Sequence, residues 1–148
     1  MNMTALAKSL TVGPEFKNRF NVARATYDFS VDAGGTGALD IFVAGSDIVI
    51  TNFYAYVKTT CTSGGSATVA VGVTGSTSAF VTTTTGAVAN LTANAVLQPV
   101  VVLTEGTPNT AAFPLPRRLA SGDKVLMTIG TAALTAGKIE FVIEYAAA

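Results

Sequence analysis

Apolar and polar residues alternate with a period of two along most of this chain, the mark of half-buried strands, whose successive side chains point to opposite faces. The clearest case is LASGDKVLMTIGTAALTAGKIEFVIEY, Leu119–Tyr145, which predicts two strands joined by a Gly/Thr/Ala connection. Val125, Met127 and Ile129 fall on one parity of the first strand. Ile139, Phe141, Ile143 and Tyr145 share one face of the second, and Glu140 and Glu144 share the other.

Upstream, FNVARATYDFSV places Ala23, Ala25, Tyr27, Phe29 and Val31 on one parity, and the loop Asp32–Gly37 follows. ALDIFV then sets Leu39, Ile41 and Val43 on one face, before a turn at Ala44–Asp47. The longest predicted strand is DIVITNFYAYVKTT, Asp47–Thr60. Its alternation changes phase near Thr51-Asn52: Ile48 and Ile50 share one parity, and Phe53, Ala55 and Val57 take the other. Such a phase change predicts a β-bulge or bend. Ser63-Gly64-Gly65 leads into SATVAVGV, a pattern that predicts a hairpin.

Thr74–Ala89 is rich in Thr, Ser, Ala and Gly, with Phe80 its one sizeable anchor, and predicts a loop or edge with a short helical turn. NLTANAVLQPVVVLT predicts one or two short strands interrupted by Pro99. Glu105–Ala112 reads as a loop. AFPLPRRL is expected to be extended, since each proline biases its predecessor toward β geometry. The sum is an all-β fold, an antiparallel β-sandwich or jelly roll of about eight strands. Residues 20–148 are expected to form a single β-sandwich domain, and residues 1–19, whose Met1–Pro14 stretch ends turn-rich at Gly13-Pro14, an extended N-terminal arm.

Composition changes this picture in one respect. Of 148 residues, 49% are hydrophobic and only 12% charged, half the usual charged share of about 25%. A surface so poor in charge is weakly defended against association. The formal net charge is zero, which speaks against a nucleic-acid binder driven by phosphate neutralisation. Charge is unevenly placed, however. Up to Arg24, Lys8, Lys17, Arg19 and Arg24 stand against Glu15, a net +3; from Ala25 onward five cations face eight anions, a net −3. That fits either an arm that docks on an acidic partner or a solvated terminus. No stretch reaches the roughly 18 apolar residues of a membrane-spanning helix, and MNMTALAKSLTVG lacks the form of a secretion signal, so no membrane partner is expected.

The chain offers little for catalysis. Histidine is absent, which removes the commonest general base, and one cysteine, Cys61, permits neither an internal disulfide nor a zinc site of the usual type. Glu140 and Glu144 lie about 13 Å apart along a strand, beyond the roughly 5–9.5 Å of glycosidase carboxylates, and read as a solvent- or subunit-facing stripe. Gly34-Gly35-Thr36-Gly37 and Gly72-Val73-Thr74-Gly75 lack the Lys-Ser/Thr of a phosphate loop. Asp28, Asp32, Asp40 and Asp47 could supply calcium oxygens, but their spacing matches no loop motif. No enzyme, cofactor or metal is expected. Arg117-Arg118 reads as an interface or anion contact, and Tyr54 and Tyr56 are where an aromatic carbohydrate platform would be sought.

DIVITNFYAYVKTTCTSGGSATVAVGV (Asp47–Val73) and LASGDKVLMTIGTAALTAGKIEFVIEY (Leu119–Tyr145) resemble the capsid decoration, or cement, proteins of tailed bacteriophages, small structural proteins with a jelly-roll or β-sandwich fold. The resemblance is one of style and carries no functional motif. It implies a virion protein, made in the host cytoplasm, that binds the capsid surface and bridges subunits of the major capsid protein. It also implies a homo-oligomer, a trimer rather than a dimer. The residues expected to touch capsid or partner are Lys8, Lys17, Arg19, Arg24, Arg117 and Arg118. The alternative is a receptor- or carbohydrate-binding β-module of a fibre or other virion appendage.

Overall fold

A computed structural model describes residues 20–99 and 115–148. The arm, the Glu105–Ala112 loop and the residues that follow Pro99 as far as Pro114 lie outside the described residues. The described residues form a β-sandwich of two antiparallel sheets with nine strands, one more than the pattern suggested. In chain order these are β1 (Asn21–Asp28), β2 (Gly37–Val43), β3 (Ile48–Ser63), β4 (Thr68–Val73), β5 (Ser76–Val81), β6 (Val96–Leu97), β7 (Arg117–Leu119), β8 (Lys124–Gly130) and β9 (Leu134–Ala147). A helical turn, α1 (Phe29–Asp32), follows β1, and a single 3-10 turn covers Val88–Asn90.

The first sheet runs β1-β9-β3, and the far edge of β3 is shared by two short strands, β7 along Ile48–Ile50 and β6 along Ala55–Tyr56. The second runs β2-β8-β4-β5. The two strands of the C-terminal stretch are therefore β8 and β9, an inner strand in each sheet. Their inward residues are buried as the alternation required: Val125, Met127 and Ile129 from β8, and Ile139, Phe141, Ile143 and Tyr145 from β9. One core cluster joins the two sheets. Phe53 of the first stacks on Phe80 of the second at 4.9 Å between ring centres, and Phe42 tilts against Tyr145 at 5.5 Å.

The phase change in β3 is a bulge. Ile50 pairs with Tyr145 and Asn52 with Glu144, so Thr51 is the extra residue. Ile48 and Ile50 before it and Phe53, Ala55 and Val57 after it are all buried. A second bulge lies in β2, where Asp40 pairs with Leu126 and Phe42 with Val125. It corrects the expected Leu39/Ile41/Val43 face: Phe42 turns inward and Val43 is left 48% exposed.

Two further expectations are corrected. β1 stops at Asp28 and Phe29–Asp32 coils into α1, because the Asp28 carboxylate accepts from the Ser30 N–H and hydroxyl and caps the turn. Val31 is consequently 81% exposed and faces no core. Ser63-Gly64-Gly65 does not close a hairpin. It carries the chain from one sheet to the other, with β3 paired to β9 and β4 to β8. The glycine signal marked a chain reversal, but partner choice was settled by the longer apolar strands from the C-terminal end. Among the described residues, β4 and β5 form the one sequence-adjacent strand pair that is hydrogen-bonded. β9 also starts earlier than the pattern implied, at Leu134, because Gly137 (φ +134°) lets the strand pass over Cys61. A Cβ at Gly137 would overlap the Cys61 sulfur.

Candidate partner-contact surfaces

Of the six cations expected to touch a partner, three can be placed. Arg24 lies on the outward face of β1, where its guanidinium donates to Glu140 at 2.9 Å. Arg118 projects outward from β7 and donates to Asp47 at 2.7 Å. Arg117 is half-buried on the same strand and points to the opposite face, since neighbouring strand residues alternate. The Arg117-Arg118 dipeptide is thus not a double charge on one surface. Arg24 and Arg118 are separated by β9 and β3, roughly 14 Å at ordinary strand spacing, so the described cations do not cluster. Lys8, Lys17 and Arg19 lie outside the described residues.

The structure does gather residues on the outward face of the first sheet. Opposite the core parity of β3 stand Asn52, Tyr54, Tyr56 and Lys58, all on one face. Across them on β9 lie Glu144, Val142 and Glu140, and on β1 lie Val22, Arg24 and Thr26. Glu140, its side chain only 15% exposed, bridges Arg24 (2.9 Å) and Lys58 (2.6 Å). Hydrogen bonds from those two cations hold its carboxyl below the ordinary range. Val142 is buried although it faces outward. Tyr54 and Tyr56 are half-buried, and the Tyr56 hydroxyl donates to Asn94 at 2.6 Å. This face was legible in the sequence as the off-core parity of β3 and β9, but nothing in the alternation said that its charges would pair with each other.

A second feature went unforeseen because it belongs to neither sheet alone. Between the edge strands β1 and β2 the sandwich opens into a cleft of about 110 Å³. Ala25, Leu39 and Ile41 line it, and it reaches Met127 and Phe141 of the core. Its outer lining is acidic, from Asp32 and Asp40. Asp40 pairs with Lys124 at 2.6 Å, whereas Asp32 has no ion pair among the described residues and accepts from the Asp28 N–H at 2.8 Å. Asp28 pairs with Lys138 at 2.7 Å, and hydrogen bonds from Lys138 and Ser30 lower its carboxyl to about 2. Cys61 is buried, and desolvation pushes its thiol up to about 11, so it is held as an inert thiol.

Among the described residues, no group of three or more metal-ligating side chains comes together, and no helix is long and apolar enough to cross a membrane. No family profile matches the chain, and no curated protein sequence matches it. In three dimensions it is similar to a chain of the cyanophage Pam1 capsid asymmetric unit, with a TM-score of 0.58 over 92% of this chain and 90% of that one, at 15% identity. The likeness is one of fold, and it runs nearly end to end between two chains of similar length.

Proposed function

We propose that this chain is a structural component of a phage virion, binding the outside of the capsid and stabilising it by bridging subunits of the major capsid protein. The observation that carries this reading is the nearly complete overlap of its fold with a chain of similar size from a phage capsid. The resemblance of Asp47–Val73 and Leu119–Tyr145 to decoration proteins agrees with it. So does a surface poor in charge, which suits broad contacts repeated around a symmetric shell. In this reading the protein acts by attachment and needs no cofactor, nucleic acid or membrane. Weak individual contacts add up because a homo-oligomer, a trimer rather than a dimer, presents several at once.

The test is co-sedimentation of the purified protein with capsids that lack it. Saturable binding and a raised temperature of capsid disruption are expected; failure to sediment with capsids, together with absence from purified virions, would overturn the reading. Deleting Met1–Arg19 is expected to leave a folded domain that binds capsids poorly, since the segment carries three of the nine cations. A receptor- or glycan-binding module is the second reading, favoured by Tyr54 and Tyr56 standing side by side on an outward face. Specific signals on a glycan array, with no capsid binding, would select it.

A further inference from the structure

We propose that the outward face of the first sheet, from Val22 on β1 to Val96 on β6, is the surface that seats on the shell, where it meets an apolar, uncharged patch of the major capsid protein. The inference rests on the capsid-binding reading above and names the face and the chemistry of that contact.

Three observations support it. First, apolar side chains gather on this face although it points away from the core. Val22 is 46% exposed and Val96 53% exposed. Val142 of β9 is the diagonal neighbour of Val22, Tyr54 lies directly across from Val142, and Tyr56 follows Tyr54 on the same side of β3. Val96 pairs with Tyr56 and so shares its face. An apolar band therefore crosses β1, β9, β3 and β6, and Phe20, 69% exposed, stands just ahead of β1 at its end. Contiguous exposed apolar surface of this kind marks interaction sites on proteins.

Second, the charges of the face balance. Arg24 and Lys58 stand against Glu140 and Glu144, a net of zero, and Glu140 already bridges both cations. A charged partner would have to compete with those ion pairs, whereas an uncharged apolar one gains by removing Val22, Val96 and the tyrosine rings from water. A sugar is less well served. Both rings are half-buried, the Tyr56 hydroxyl is spent on Asn94, and the most exposed groups are aliphatic, with no hydrogen bond to offer. Third, size separates the shell from a second copy. Four strands at about 4.8 Å spacing and roughly six residues of rise make a footprint of about 400 Å². A standard stable interface buries roughly 800 Å² on each partner, so this face alone would hold two free copies only weakly. On a shell the same small contact recurs for each subunit of an oligomer, and multivalency makes up the affinity.

The experiment uses full-length chains that carry Val22→Cys, Val96→Cys or, away from this face on α1, Val31→Cys, with Cys61 left in place because it is buried and poorly ionised. Maleimide labelling is followed on the free protein and on protein bound to capsids that lack it, while co-sedimentation reports binding. All three positions are expected to label in the free protein, and on capsids Val22→Cys and Val96→Cys should become protected while Val31→Cys stays reactive. Val22→Asp and Val96→Asp should each weaken capsid binding at least about tenfold. Chains that co-sediment with both face positions still reactive overturn the docking face and spare the capsid reading. Slow labelling of those positions in the free protein means that the chain itself or another copy covers the face, and it overturns the proposal too. An unsubstituted chain that fails to co-sediment overturns both readings. Glycan-array signals lost in Tyr54→Ala, with capsid binding intact in Val22→Asp, would reassign the face to a sugar.

Discussion

Phe141 shows how much one side chain can decide. It is 1% exposed, packs at 6.4 Å from the Phe53 ring, and lies beneath the β1–β2 cleft. Phe141→Ala is expected to destabilise the domain by about 3–5 kcal/mol, read as a lowered midpoint in urea with an unchanged slope. At the charged residues the consequence is pH dependence. Asp28 is lowered to about 2 from an ordinary 3.8 by hydrogen bonds from Lys138 and Ser30. A carboxylate with a depressed folded value contributes stability that is present above its unfolded value and is lost as pH falls through the folded one. The acid limb of stability should therefore fall between about pH 4 and pH 2, and Asp28→Asn should flatten it. An unaltered acid limb in thermal melts of Asp28→Asn would exclude the pairing with Lys138 as its source. Glu140, lowered in the same direction by Lys58 and Arg24, adds to the same limb.

At the level of elements, alternation told which side of each strand faces the core, because burial imposes that pattern directly. It located the β3 bulge from Ile50 and Phe53 alone, since residues three apart in a strand face the same core only across an extra residue. It missed the β2 bulge because Leu39, Ile41, Phe42 and Val43 are all apolar, and an unbroken apolar run hides its own phase. Strand partners were the illegible part. A glycine turn after Ser63 is compatible with either a hairpin or a crossing between sheets, and only distant β8 and β9 decide between them. The candidate cations fared similarly, for Asp47 and Glu140 claim Arg118 and Arg24 from 71 and 116 residues away. The bulge itself yields a sharp expectation. Deleting Thr51 leaves Ile50 and Phe53 two positions apart on one face, so the strand becomes regular and the domain should still fold. Deleting Tyr54 instead turns the rest of β3 inside out and should abolish cooperative melting.

For the molecule as a whole, the feature with the widest reach is that each sheet has as an inner strand one of the two described strands that come last in sequence. β9 lies between β1 and β3, and β8 between β2 and β4, so each early strand waits for a late one. Pairings such as Asn21 with Tyr145 and Gly37 with Ile129 span most of the chain. Closing such loops before any contact repays the entropy makes folding slow, in the millisecond-to-second range expected of sandwiches. A chain ended at Gly130 should show no cooperative transition at all, checked by near-UV circular dichroism. During synthesis the same order has a different meaning. Until β9 emerges from the ribosome, β1 and β3 have no common partner, and the side of β3 that β9 will occupy remains unpaired along its sixteen residues. A chain that stops short of β9 thus carries no finished first sheet and no formed β1–β2 cleft. In the virion role proposed above, synthesis through β9 would be the condition for joining the shell, an inspection built into strand order that leaves fragments short of β9 to proteolysis.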